Sequence, residues 1–173
     1  MPMNLKKIVF LGIMISASVV LSIVESMISV TLFIIPGVKL GLANIVTLII
    51  LYIFGKKEAF IVVVIRILVV ALVSPVSTFI SFSLSISGGM LAIIAMILLK
   101  NIKSLSIMSV SVVGALMHMV GQIIAAIFIL ETPTLIYYLP YMILLSIPTG
   151  IFTGYVGKKL IDLFNNHLSV PQL

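Results

Sequence analysis

Lysines occur in pairs along this chain, and almost nothing else in it is charged. Lys6 with Lys7, Lys56 with Lys57, Lys100 with Lys103 and Lys158 with Lys159 punctuate long runs of hydrocarbon side chains. Charged residues are only 8% of the 173, and hydrophobic residues are 62%. No soluble domain has enough interior to hide that fraction, so the pattern defines an integral membrane protein. Six apolar spans are predicted, at 8–24, 40–54, 59–74, 79–99, 105–130 and 135–157. They fill residues 1–173 as a single all-α membrane domain of six transmembrane helices, leaving no room for a soluble one.

With six spans, the four lysine pairs fall on one side, and the other side keeps Lys39, Glu25 and Glu131. That asymmetry predicts that both termini are cytoplasmic. The net charge of +6 therefore reports orientation in a membrane, and nucleic acid is not an expected partner. Lys6 and Lys7, an apolar run and Ser16-Ala17-Ser18 have the outline of a signal peptide. The run continues to Val24, longer than a signal-peptide core, so it reads as a first transmembrane helix. The second and third spans hold about 15 apolar residues each, roughly 22 Å of helix against a hydrocarbon core near 30 Å. Flanking residues must lengthen them, or the bundle must shield them.

The outer connection from Glu25 to Lys39 carries Met27, Ile28, Val30, Leu32, Phe33, Ile34 and Ile35. A loop that apolar is expected to fold over the bundle as a lid or re-enter it. The tail from Lys158 to Leu173 has Leu160, Ile161, Phe164 and Leu168 on one stripe and reads as a short interfacial helix ending before Pro171. Tyr137, Tyr138 and Tyr141 suit a membrane interface, Pro140 and Pro148 are expected to kink the sixth span, and Gly150 and Gly154 to allow close contact there.

Several polar groups lie inside the apolar spans. Arg66 falls mid-way along the third, where an arginine costs about 2.5–3.5 kcal/mol on an insertion scale. It is either functional or paired structurally, for which Glu25 is a candidate partner. In the fifth span Gly114, His118, Gln122 and Ala125 form one stripe at helical spacing, facing the bundle. His118 reads equally as an interhelical hydrogen bond; it is a weak metal ligand, because the other histidine, His167, lies in the tail and there is no cysteine. In the fourth span Ser81, Ser85, Gly88 and Ala92 make a small face with Ser83 and Ser87 beside it, suited to packing or to offering hydroxyls. Gly12 and Ser16 in the first span, with Ala17 adjacent, are a candidate docking face for another helix.

Between the first two spans lies Pro36-Gly37-Val38-Lys39-Leu40-Gly41-Leu42-Ala43-Asn44, the least ordinary stretch of the chain. Pro36 predicts a break, and Gly37 and Gly41, four apart, would share a helix face. Lys39 places a cation at the mouth of the membrane, where it serves as a ligand group or as a snorkelling anchor. The chain has no P-loop, no H-E-x-x-H and no paired carboxylates, so no catalytic residue, metal site or cofactor is predicted.

This block resembles the family called heptaprenyl diphosphate synthase component I, also known as the Gx transporter family. Glu25, Arg66, Ser87-Gly88-Gly89, Gly114-Ala115, His118, Gly121-Gln122 and Tyr137-Tyr138-Leu139-Pro140 extend the likeness over nearly the whole chain. Met119 and Ala92 depart from it at positions that bear on ligand identity. The family looks related to the S components of energy-coupling factor (ECF) transporters. Those are six-helix membrane proteins that bind a vitamin-like solute near the outer face and dock, through small residues of helix one, on a coupling subunit driven by two ATPases.

The resemblance implies a solute-binding S component rather than an enzyme, with an ECF coupling subunit and ATPase pair as partners and membrane lipid around it. Lys39 and Arg66 would attract an anionic group on a partly hydrophobic solute, from a vitamin, isoprenoid or quinone pathway. Asn44, Ser87, His118 and Gln122 would orient it, and Gly12, Ser16 and Ala17 would dock the coupling subunit. The alternatives are a non-catalytic membrane partner of a prenyl diphosphate synthase and a structural subunit of a membrane redox complex.

Overall fold

A computed structural model describes residues 5–32, 38–75 and 78–167. The described residues form six α-helices, α1 (Leu5–Leu32), α2 (Asn44–Ile53), α3 (Lys56–Val73), α4 (Phe79–Lys100), α5 (Ile107–Ile129) and α6 (Leu139–His167), with a 3₁₀ turn at Pro133–Tyr138. No strand occurs among the described residues. Four segments are long and apolar enough to cross a membrane, Leu5–Ile28, Phe79–Lys100, Ile107–Ile129 and Pro133–Asn166, which makes this a multi-pass membrane protein. The other two helices are different in kind. α2 has ten residues, about 15 Å of rise, and α3 carries Lys56, Lys57, Glu58 and Arg66.

α5 is the centre of the bundle, packed along α4 on one side and α6 on the other. Its small residues make that possible. A Cβ on Gly121 would lie 2.6 Å from the Ser87 carbonyl oxygen, and one on Gly88 would lie 2.8 Å from the His118 carbonyl oxygen. On the α6 side, a Cβ on Gly150 would meet the Val112 backbone at 2.7 Å, and Ser111 and Thr153 share a buried hydroxyl contact of 2.9 Å. The expected stripes on α4 and α5 are therefore packing faces: Ser81, Gly88, Ala92, Gly114, His118 and Gln122 are all buried. Gly121→Ala should cost about 1–3 kcal/mol, because the obstructing atoms are backbone that cannot turn aside. Thermal unfolding in detergent checks it, and an unchanged midpoint would mean that α4 and α5 do not approach this closely.

The lysine-bearing ends of the helices meet at one end of the bundle. Lys7 of α1 donates to Glu58 of α3 at 2.7 Å and lies over the Phe54 ring at 5.6 Å. Phe10 packs on both Phe54 and Phe164, and Lys100 donates to the Leu51 carbonyl at the end of α2 at 2.5 Å. The bond from Lys7 holds the Glu58 carboxyl below its ordinary value of 4.5. Its stabilisation is complete above that ordinary value and is lost as pH falls through the depressed one. Since both side chains are partly exposed, a Lys7→Ala, Glu58→Ala double-mutant cycle should give a coupling of at most about 1 kcal/mol at neutral pH, fading in acid.

Four sequence expectations need correction. α1 does not stop at Val24 but continues to Leu32, so Glu25 to Leu32 is helix and not loop. Nothing from Val24 to Leu32 is proline or glycine, and Glu25 is satisfied by partners outside its own helix. α2 starts at Asn44 rather than residue 40, because Gly41 adopts φ +89° and the chain turns there; Gly41 therefore shares no helix face with Gly37, which with Pro36 lies outside the described residues. Pro140 occupies the first turn of α6, where a missing N–H costs nothing, and only Pro148 lies in the helix interior. Lys158 to His167 is not a separate interfacial helix: α6 runs through it unbroken, and Leu168 to Leu173 lie outside the described residues.

Candidate functional site

The non-helical segment 38–43 enters the bundle between α1 and α5 and is fastened from both sides. On the α5 side, the Lys39 N–H donates to Gln122 Oε1 and Gln122 Nε2 donates to the Lys39 carbonyl, both at 2.7 Å. Gln122 is fully buried, and its amide acts as a one-residue substitute for a paired strand. On the α1 side, Glu25 Oε1 accepts from the backbone N–H of Gly41 and from that of Leu42, the latter at 3.0 Å. Gly41 is required twice over at this place. Its φ of +89° suits only glycine, and a Cβ there would lie 2.9 Å from Asn44 Nδ2 and 3.3 Å from the His118 ring.

Fastened this way, the segment brings five polar side chains from five parts of the chain together. Glu25 comes from α1, Lys39 from the segment itself, Asn44 from the first turn of α2, Arg66 from the middle of α3 and His118 from α5. All five are at most 6% exposed. Arg66 reaches the Asn44 side-chain oxygen through both terminal nitrogens, each at 3.5 Å, the outer limit of a hydrogen bond. Lys39 Nζ donates to Ser85 Oγ at 3.0 Å. Asn44 Nδ2 has no hydrogen-bond partner among the described residues, and the His118 ring nitrogens make none of good geometry, the ring lying against the Gly88 backbone. Between these groups is a void of about 20 Å³, the space of one or two water molecules. Ser22 of α1, Gly41 and Ala43 of the segment, Ile67 and Val70 of α3 and Ser85 of α4 complete its wall.

The charges in this cluster do not cancel. Glu25 makes no salt bridge with Lys39 or Arg66 among the described residues. The chain has four acidic residues, and the other three are elsewhere: Glu58 is bonded to Lys7, and Glu131 and Asp162 are exposed. Two buried cations thus share one buried carboxylate. An uncompensated buried charge costs several kcal/mol, so the arrangement favours any anion that reaches it.

Of the residues expected to hold a solute, Lys39, Asn44, Arg66 and His118 line this void. Two do not. Gln122 is committed to the Lys39 backbone, and Ser87 Oγ donates to the Gly121 carbonyl at 2.7 Å, tying α4 to α5. Glu25, expected as a candidate partner of Arg66 and one of the residues that carry the family resemblance, instead holds the backbone at residues 41–42. The signal that marks it is a stripe on α1, Ser18, Ser22, Glu25 and Ser26, whose three- and four-residue spacing puts polar groups on one buried face of an otherwise apolar helix. Gly12, Ser16 and Ala17, the expected docking face, are exposed, and among the described residues no atom beyond the local helix backbone comes within 4 Å of a Cβ built on Gly12.

The model of one protein family, described as heptaprenyl diphosphate synthase component I, matches residues 14–160. No curated protein and no solved structure matches the chain.

Proposed function

The chain belongs to the heptaprenyl diphosphate synthase component I family, and we propose that it works as the solute-binding membrane subunit of an ECF-type transporter. In this reading it is not an enzyme; the energy comes from ATP hydrolysis in partner subunits, and its place is the bacterial plasma membrane with the lysine-rich end and both termini in the cytoplasm. The single observation that carries the proposal is the buried cation excess of Lys39 and Arg66 over Glu25. A merely structural polar core has its charges paired. A binding site keeps donors in reserve for a group that arrives from outside, as Asn44 Nδ2 and His118 do here.

The location agrees. Lys7, Glu58 and Lys100 mark one end of the bundle, and the cluster lies at the other end of the short α2, beneath segment 38–43. On this reading the solute enters from the outer face, its anionic group meeting Lys39, Arg66, Asn44 and His118, and the segment opens to admit it. The exposed face of Gly12, Ser16 and Ala17 would dock the coupling subunit.

The family description itself favours a second reading, in which the chain is a non-catalytic membrane companion of a separate prenyl synthase subunit. Gentle extraction from the native membrane followed by mass spectrometry of co-purifying proteins separates the two. A coupling subunit with two ATPases is the result expected of the transporter. A soluble prenyl synthase without ATPases would overturn it in favour of the companion.

A further inference from the structure

Resting on the reading of this cluster as a solute site, we infer that the group it recognises is a carboxylate bearing a single negative charge, the head of an organic acid, and not a phosphate or diphosphate. Three observations on the cluster converge on that class.

The first is charge. Lys39 and Arg66 bring two positive charges and Glu25 one negative, leaving an excess of one. The remaining acidic side chains of the protein are at the other end of the bundle or on its surface. A monoanion neutralises the site. A diphosphate, with at least two charges, would leave it negative in a buried setting, and a buried net charge of either sign is costly. No group of three His, Asp or Glu among the described residues could bring in a divalent cation to absorb the surplus.

The second is the donor census. Asn44 Nδ2 and a His118 ring nitrogen are unspent, Arg66 spends its guanidinium on two contacts of 3.5 Å, and Lys39 Nζ keeps protons beyond the one given to Ser85. Most of the acceptors around the void are already engaged, the second His118 ring nitrogen excepted. Glu25 Oε1 holds two backbone amides, and Asn44 Oδ1 faces Arg66. A ligand here is therefore offered mainly donors, which an ionised carboxylate meets with its two oxygens and about four lone-pair sites. The planar fork of Arg66 suits it particularly.

The third is size and surroundings. The void of about 20 Å³ has to enlarge for any solute, and a planar carboxylate head asks for less enlargement than a tetrahedral phosphate carrying substituents. Ala43, Ile67 and Val70 are the apolar part of the wall, a surface that suits the hydrocarbon of an organic acid.

The test is thermal unfolding of the detergent-purified full chain with octanoate, octyl phosphate, geranyl diphosphate, octan-1-ol and sodium chloride as probes. Wild type is expected to shift upward with octanoate more than with any other probe. That shift is expected to be lost in Arg66→Met and reduced in Arg66→Lys, which keeps the charge but not the fork. Arg66→Lys keeps the comparison informative if Arg66→Met does not accumulate. A larger Arg66-dependent shift with octyl phosphate or geranyl diphosphate would overturn the carboxylate while leaving an anion site in place. An Arg66-dependent shift with chloride equal to that with octanoate would reduce the site to one for simple inorganic anions and overturn it as well. No Arg66-dependent shift with any anion would overturn both this inference and the solute-site reading.

Discussion

Arg66→Met is expected to make the unliganded protein more stable while removing its ability to hold a solute. The guanidinium is buried, has no salt bridge among the described residues and reaches Asn44 only through two contacts of 3.5 Å. Replacing it with an unbranched apolar side chain removes a desolvated cation and leaves Lys39 balanced by Glu25. Buried ionic groups exchanged for well-packed apolar ones gain about 1–4 kcal/mol in favourable cases, and an unpaired one has less to lose. Ile67 and Val70 already present hydrocarbon beside it. The opposite expectation follows if Arg66 is structural, because breaking a buried ion pair costs about 3–5 kcal/mol. Thermal unfolding of the two proteins stripped of bound molecules decides the sign. A marked drop in the variant's midpoint would mean that Arg66 holds the bundle together and that the excess charge is not a reserve for a ligand.

The second large effect is expected at Gln122. Gln122→Leu keeps the volume but removes both 2.7 Å bonds to Lys39, whose N–H and carbonyl are then buried with nothing to replace them. Each orphaned group costs about 1–3 kcal/mol, so the pair predicts roughly 2–6 kcal/mol. The loss is concentrated on one segment, since the helices on either side keep their own backbone bonds. The outcome is local: segment 38–43 should detach from α5 while the six helices persist. Hydrogen exchange reads this directly. The Gly41 and Leu42 amides, which donate to Glu25, should lose protection long before those in the middle of α4 and α5. Unchanged protection at those two amides would mean that Glu25 alone fastens the segment and that Gln122 has another role.

Much of this molecule was readable from residue spacing. The lysine pairs marked the common end of the helices before any contact was known, and Lys7, Glu58 and Lys100 are found together there. The stripes through Ser85 and Gly88 on α4 and through Gly114, His118 and Gln122 on α5 pointed to faces turned into the bundle, suited to packing or to polar contacts, and they do both: Gly88 and Gly114 pack, while Ser85 and His118 line the void. Lys39, Asn44, Arg66 and His118 were expected together from their placement and from the family resemblance, and the fold sets all four around one void.

The misreadings share one physical origin, which is that hydropathy does not reveal tertiary satisfaction. Glu25 looked like the end of a span, yet its carboxylate is met by the amides of residues 41 and 42, and α1 continues past it to Leu32. Leu40 to Ala43 are apolar enough to look like the start of a helix, but Gly41 turns the backbone, and Gln122 satisfies Lys39 outside any helix. Gln122 itself reads as a ligand group by its chemistry and is a backbone clamp by its contacts. Which of two hydrogen-bonding roles a buried amide takes depends on what the fold sets opposite it, and that information is spread over 83 residues of chain in this case.

The central claim, that Arg66 and its neighbours hold an anionic solute, is tested most directly by native mass spectrometry of the protein released from its own membrane. Wild type should carry an additional small-molecule mass, and Arg66→Met prepared in parallel should lack it. An identical spectrum for the two proteins, with the same bound mass on both or with none on either, would contradict the account.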